Sequence, residues 1–246
     1  ETSGTCLVFD ETITGFRSHL GGVQAMFGVQ ADLACYGGVI GGGLPIGAVA
    51  GRRAFMDVLD NEAWAQSGIV SARGHSAQHP LALAATRTAL ELLKQDDNKL
   101  QTKLNLHTAA MADELSAYCR EVGAPLEILY FSSLWRVNWV EDHPQQDLLF
   151  AMMRSRGVHI LDDSPCFMTG AHTQEDIATI KSAFKESLSE MQDSEFLPRR
   201  AVAKSSYVDP NQPPVPNARL GRDRDGQPAW FVPNPAAQGK YIRLQK

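Results

Sequence analysis

Two stretches of the chain carry residue types that could do chemistry. The first is Thr5 to Asp10, TCLVFD, a short apolar run ending in a carboxylate. A continuous apolar run fits a parallel strand buried on both faces. In open α/β sheets the ligand sits outside the carboxyl ends of such strands. Asp10 is therefore placed to meet a ligand, or else serves as a strand-end or cap carboxylate. The second stretch is Asp32 to Gly51, DLACYGGVIGGGLPIGAVAG. Glycine is used where backbone passes close to something or adopts positive φ. Flexible linkers are polar and rich in Gly and Ser. Here Gly37, Gly38, Gly41, Gly42 and Gly43 are interleaved with Val39, Ile40, Leu44 and Ile46. The stretch reads as a shaped, buried loop between strands at a ligand site.

LVFDETITGFR (Leu7 to Arg17) together with this glycine loop resembles the class III aminotransferases that use pyridoxal phosphate. The similarity is greatest to the glutamate-1-semialdehyde aminomutase branch and to aminotransferase domains embedded in nonribosomal peptide and polyketide synthases. It runs from about Leu7 to Leu188. The fold it implies is α/β, a fold-type I pyridoxal-phosphate transferase. The chain would supply the C-terminal half of the large, mostly parallel-sheet domain, then the small α+β C-terminal domain. By the same resemblance Asp10 matches the aspartate that hydrogen-bonds the pyridine nitrogen and keeps it protonated, making the ring an electron sink. Thr12 matches the residue that packs on the ring face, usually an aliphatic one.

In the family the loop begins with a lysine, followed by two small apolar residues and three glycines. That lysine forms the Schiff base with the cofactor. The matching position here is Gly38. No lysine precedes Lys94, so no small shift supplies the amine. Covalent catalysis of this kind needs a primary amine that also shuttles a proton. No catalytic residue is therefore assigned, and the domain is expected to be catalytically impaired. A second departure lies in SARGHSAQHPLALAA (Ser71 to Ala85), where the family has Gly-Thr and the threonine binds the cofactor phosphate across a dimer interface. Here the pair is Gly74-His75. His75 is the candidate phosphate ligand, against the plainer reading of an exposed loop histidine. Pyridoxal 5'-phosphate is the implied cofactor, and both departures count against its retention. Two altered positions favour natural degeneration over a single engineered change. A third departure is Asp162-Asp163-Ser164, where assembly-line relatives often have an acidic-Gly-Arg step, which removes a substrate contact. The family's phosphate-cradling loop has no counterpart before Glu1. The chain is expected to begin inside the large domain, with a sheet edge and an apolar face exposed.

Several elements must position these residues. Gly21 to Val29 reads as a loop leading to a strand at Leu33 to Tyr36. Leu81 to Lys94 and Leu100 to Val122 carry apolar stripes at helical spacing, with Pro80 at a first turn and Gly123 as a stop. LEILYFSSLWRVNWV (Leu126 to Val140) reads as two strands. Leu148 to Arg156 reads as a helix, Val158 to Leu161 as a strand, and Thr173 with Asp176 as the capping box of a last helix. Eight of the thirteen prolines fall between Pro198 and Pro235. The expected division is 1–100 for the large-domain part, 101–193 for the small domain and 194–246 for a Pro-rich interdomain linker. Trp230, Phe231 and Tyr241 in that linker are expected to dock on a neighbouring domain.

Composition excludes several classes. A net charge of -5 lacks the basic face of a nucleic-acid binder. No apolar run is long enough to span a bilayer, so no membrane partner is expected. The N-terminus has no secretory pattern, and four scattered cysteines suit reduced thiols in the cytoplasm. The expected partners are a second copy in a homodimer, and neighbouring synthase domains or a carrier protein. Three functions compete. One is an impaired aminotransferase domain of an assembly line. The others are an active transaminase on a carrier-bound or free carbonyl, and a non-catalytic dimerisation or binding domain.

Overall fold

β1 (Val8–Glu11), β2 (Leu33–Gly37) and β3 (Gly47–Gly51) form the first sheet in that order. The computed structural model describes residues 4–57, 79–161, 164–199, 218–222, 228–233 and 241–243. β1 and β2 are parallel, with Asp10 opposite Cys35 and Glu11 opposite Tyr36. β3 returns antiparallel to β2, with Gly47 opposite Gly37. Of the two pairings in this mixed sheet, only the first is parallel. Its apolar side chains are not all covered: Leu7, Val8 and Val49 are 42%, 52% and 54% exposed.

Between β1 and β2 the chain makes a short helix, α1 (Gly22–Phe27), where a loop was expected. The physical cause is Glu11. Its carboxylate accepts hydrogen bonds from the Val23 and Gln24 amides at 2.8 and 3.2 Å. Those are first-turn donors that have no partner inside a helix. A buried acid thus nucleates a turn that the sequence pattern does not announce.

After α2 (Arg53–Met56) and residues outside the described set come two long helices, α3 (Pro80–Asp96) and α4 (Lys99–Glu121). Pro80 opens α3, where its missing N–H costs no hydrogen bond. Asp97 and Asn98, both at positive φ, make the sharp joint to α4. Asn and Asp tolerate that region better than other side-chain-bearing residues. On α4, Thr108, Met111, Ala112, Leu115 and Cys119 are buried at intervals of three and four, the signature of one helical face.

That face covers the second sheet. β4 (Leu126–Phe131), β5 (Leu134–Trp139) and β6 (Cys166–Phe167) are antiparallel in that order. α5 (Gln146–Ser155) and α6 (Gln174–Asp193) complete the layer. Met111, Leu115, Trp135, Leu149, Met153, Phe184, Leu188 and Met191 share one core. The Thr173 hydroxyl accepts from the Asp176 amide at 3.1 Å, and the Asp176 carboxylate accepts from the Thr173 amide at 2.7 Å. The capping box is therefore present as expected.

Three expectations change. Val158 to Leu161 is not a strand: the Val158 amide closes α5 on the Met153 carbonyl at 2.9 Å, and Ile160 is buried in the core. Its apolar pattern reflects packing and not ladder pairing. The core also runs past residue 193, because Leu197 is 1% exposed within it. The segment read as a linker contains a third antiparallel sheet, β7 (Arg219–Arg222), β8 (Pro228–Pro233) and β9 (Tyr241–Arg243). Within it Trp230 pairs with Leu220, Phe231 with Arg219, and the Arg219 guanidinium lies 5.3 Å from the Tyr241 ring. The linker aromatics thus serve cross-strand pairs in their own sheet. Among the described residues no helix is long and apolar enough to cross a membrane.

Removing the cap should measure what it contributes. Thr173→Ala is expected to lower stability by about 1 kcal/mol, read from urea unfolding. The Thr173 amide, then its hydroxyl, hold the Asp176 carboxyl below the usual range. A depressed pKa adds stability above the unfolded value, roughly pH 4, and loses it as pH falls through the folded value. The thermal midpoint of Asp176→Asn should therefore change less than the wild type's between pH 5 and pH 2; equal slopes would contradict this.

Candidate functional site

The carboxyl ends of the parallel pair β1 and β2 bring Asp10, Thr12 and Gly38 together. Along β1 successive side chains point to opposite faces. Asp10 and Glu11 therefore part company: Asp10 is exposed, while Glu11 is 1% exposed. Asp10 Oδ1 accepts from the Thr12 hydroxyl at 2.6 Å and the Thr12 amide at 3.0 Å. The hydroxyl, then the amide, hold its carboxyl below the usual aspartate range. Asp10 is thus an anion at neutral pH, and Oδ2 has no hydrogen-bond partner among the described residues.

β2 runs directly into the glycine loop. Residues Gly38–Gly41 form one 3₁₀ turn, and Ile40 and Gly41 are buried. Gly38 has φ +47°, a region that favours glycine. A Cβ built there would lie 3.5 Å from the Thr12 carbonyl oxygen, with no other described residue beyond its chain neighbours within 4 Å. The position thus adjoins Thr12, the residue that holds Asp10, and has room for a Cβ among the described residues. The loop packs on α3, since a Cβ on Gly42 would stand 3.7 Å from the Ala85 Cβ.

The sequence reading missed Glu11. Besides capping α1 it accepts from the Thr14 hydroxyl at 3.3 Å. Gly22, at φ +72°, passes so close that a Cβ there would meet Glu11 Oε2 at 2.6 Å. Opposite Glu11, the Tyr36 hydroxyl accepts from Gln24 Nε2 at 3.2 Å, and burial followed by the Glu11 charge pushes the phenol up. The available signal was two acids in succession at a strand end, followed by Gly21-Gly22. One acid is exposed and the other needs buried partners.

The loop after β1 is tied to α4. Gln101 Nε2 donates to the Phe16 carbonyl at 2.9 Å, Asn105 Nδ2 to the Ser18 carbonyl at 3.0 Å, and the Leu20 amide to Asn98 Oδ1 at 2.9 Å. Phe27 stacks on Phe131 with ring centroids 6.4 Å apart. The Asp10 end of the first sheet is thereby fixed to the second layer. His75, like Gly74, lies outside the described residues, as do Asp162 and Asp163.

A concavity of about 630 Å³ lies elsewhere, bordered by Trp135, His159, Cys166, Phe167 and His172. Its groups suit packing and not catalysis. Asp176 is committed to the cap, and burial pushes the Cys166 thiol up to about 11. The Cys119 thiol in the core is raised to about 12, again by burial. Neither sulfur is a nucleophile at neutral pH. Among the described residues no cluster of His, Cys, Asp and Glu could hold a metal ion.

Comparison with known proteins agrees with this geometry. The family Aminotransferase class-III matches residues 1–168. Glutamate-1-semialdehyde 2,1-aminomutase of Alkaliphilus oremlandii is 36% identical over 200 residues, covering 77% of this chain and 45% of the relative. The enzyme of the same name from Pelotomaculum thermopropionicum is 45% identical over 121 residues, covering 49% and 26%. A solved structure described as a transaminase with PLP bound superposes with TM-score 0.68 at 26% identity, over 78% of this chain and 46% of that one. A β-phenylalanine aminotransferase from Variovorax paradoxus has the same fold, with TM-score 0.68 at 23% identity over 80% and 47%. The chain spans about 45% of the length of the first of these relatives.

The two special glycines should respond differently to a methyl group. Gly38→Ala has only its backbone region to overcome and is expected to cost about 1 kcal/mol. Gly22→Ala must also displace a buried carboxylate and is expected to cost about 3 kcal/mol or more. Urea unfolding of the pair measures the difference, and equal losses would refute the assigned role of Glu11.

Proposed function

The chain belongs to the class-III aminotransferase family, and from that premise we propose that it forms part of a pyridoxal-phosphate site that lacks its covalent anchor. The observation that carries this reading is Gly38: it adjoins Thr12, which holds Asp10, at the strand ends and bears no side chain. When bound, the coenzyme supplies a protonated ring that draws electrons from a substrate carbon. Asp10 suits the coenzyme because it is anionic and exposed, with one oxygen uncommitted. Its role is to hold a proton at the ring nitrogen. Thr12 fixes Asp10 and would be the residue to pack against the ring. His75 is the proposed phosphate contact. Gly38 can neither attack an aldehyde nor carry a proton between carbons, which are the two tasks the missing amine would perform.

The domain is thus an aminotransferase by descent, with turnover impaired, and it acts as a dimerising or spacing unit beside synthase domains or a carrier protein. The proposed division is 1–100 for the large-domain part, a small domain from 101 through Leu197, and a connecting segment to 246 that carries its own short sheet. Asp10 favours one second reading. A site that keeps its ring-nitrogen partner could hold the coenzyme or a substrate without turnover.

Treatment with pyridoxal phosphate and borohydride is expected to leave the wild-type chain with no stoichiometric adduct, by peptide mass spectrometry, beyond that on a denatured control. Gly38→Lys has room for its Cβ and should gain a stoichiometric adduct at the introduced amine. A stoichiometric adduct on one residue of the folded wild-type chain, absent from the denatured control, would overturn the reading.

A further inference from the structure

Arg17 stands on the helical turn that follows β1, where the Arg17 and Ser18 amides donate to the Thr14 carbonyl at 3.2 and 3.0 Å. Two contacts orient its guanidinium. Nε donates to the Ile13 carbonyl at 3.2 Å, and the central carbon lies 4.3 Å from the centre of the Phe167 ring, contributed by β6 of the second sheet. The group is half-buried, and burial draws its pKa below the usual arginine value.

A cation taken out of water calls for a counter-charge. Arg17 has no carboxylate partner among the described residues. Arg156, which is also partly buried, pairs with Glu186 and Glu190, whereas described arginines without a carboxylate partner such as Arg53, Arg120, Arg136 and Arg154 are exposed. Both Nη groups of Arg17 are without an acceptor among the described residues, at the junction where the loop after β1 meets Phe167 of β6. A carboxylate is an acceptor-only group with about four lone-pair sites, and it meets a guanidinium fork in two parallel bonds.

We propose that Arg17 is a binding residue for the carboxylate of a small-molecule amino donor or acceptor, held where the loop after β1 meets β6. Phe167 sets the plane of the fork and Ile13 sets its direction. The assignment of that carboxylate to a donor or acceptor rests on the aminotransferase reading above. The binding chemistry does not.

The test uses the whole 246-residue chain and succinate, a dicarboxylate without an amine. The Arg17 Nε–H signal, assigned with Arg17→Lys, is followed by NMR during titration. Succinate should shift it saturably, and neutral succinamide should not. Arg17→Lys, which keeps charge but loses the planar fork, should weaken binding by about tenfold or more. Phe167→Leu, which keeps the arginine but removes its platform, should weaken it too. Circular dichroism checks that each variant is folded. No saturable shift in the wild type, or equal affinity in folded Arg17→Lys, overturns the proposal. So does an Nε signal that ignores succinate but moves on dilution, since the carboxylate would then come from another copy of the chain. Binding of pyridoxamine phosphate, which needs no lysine, is followed in parallel by fluorescence. Succinate binding without it would sink the cofactor reading alone, and the reverse would sink the Arg17 site alone.

Discussion

The burial of Glu11 is the constraint on which the site depends. A carboxylate removed from water must be met by donors, and the chain supplies them locally: two amides of α1 and the Thr14 hydroxyl. Each donor fixes a different part of the neighbourhood. The amides create α1 between the two parallel strands. The hydroxyl closes the turn that begins at Thr12. Gly22 is required because its backbone approaches the carboxylate oxygens too closely for a Cβ. The open carboxylate one residue earlier then has little freedom. Asp10 is held by Thr12, and Thr12 begins a loop tied to Glu11 behind it and to α4 beyond it.

This arrangement divides two adjacent acids by strand alternation alone. Asp10 keeps its charge in water and one oxygen free. Glu11 uses its oxygens on backbone and side chain. The same division explains why the second layer matters to a site on the first sheet. The loop that follows these acids is held by Gln101, Asn105 and Asn98, side chains of α4 or its N-terminal joint. α4 is in turn fixed by the core of Leu115, Phe184 and Leu188. Precision at the strand ends therefore rests on packing contributed by the second layer.

Much of this was legible in the sequence wherever the physical signal was local. The TCLVFD run gave a strand with an acid at its carboxyl end, the helical stripes gave α3 and α4, and Thr173 with Asp176 gave a true capping box. What stayed hidden depended on contacts between distant residues. α1 exists because of an acid that lies outside the helix, well before the Val23 and Gln24 amides it holds. No window of helical periodicity contains that cause. Val158 to Leu161 looked like a strand because Ile160 is buried, but burial came from the core and not from a ladder. The proline-rich tail hid three short strands, since proline at strand ends and edges is compatible with a sheet. Of the candidate residues, Asp10 and Thr12 came from their place at a strand end and their resemblance. Glu11 was overlooked because its partners are the α1 amides and the Thr14 hydroxyl.

The glycine at 38 now has a physical setting. None of the contacts that hold the strand ends passes through a side chain at that position. The loop keeps its path through buried Ile40, the approach of Gly42 to Ala85, and the pairing of Gly37 with Gly47. A lysine there would add an amine to a frame already fixed by other residues. Its absence therefore costs the fold nothing, and it even relieves the strain that a side-chain-bearing residue would carry at φ +47°. The placement of Asp10, Thr12 and the glycine loop is thus held by backbone and neighbouring side chains and not by residue 38.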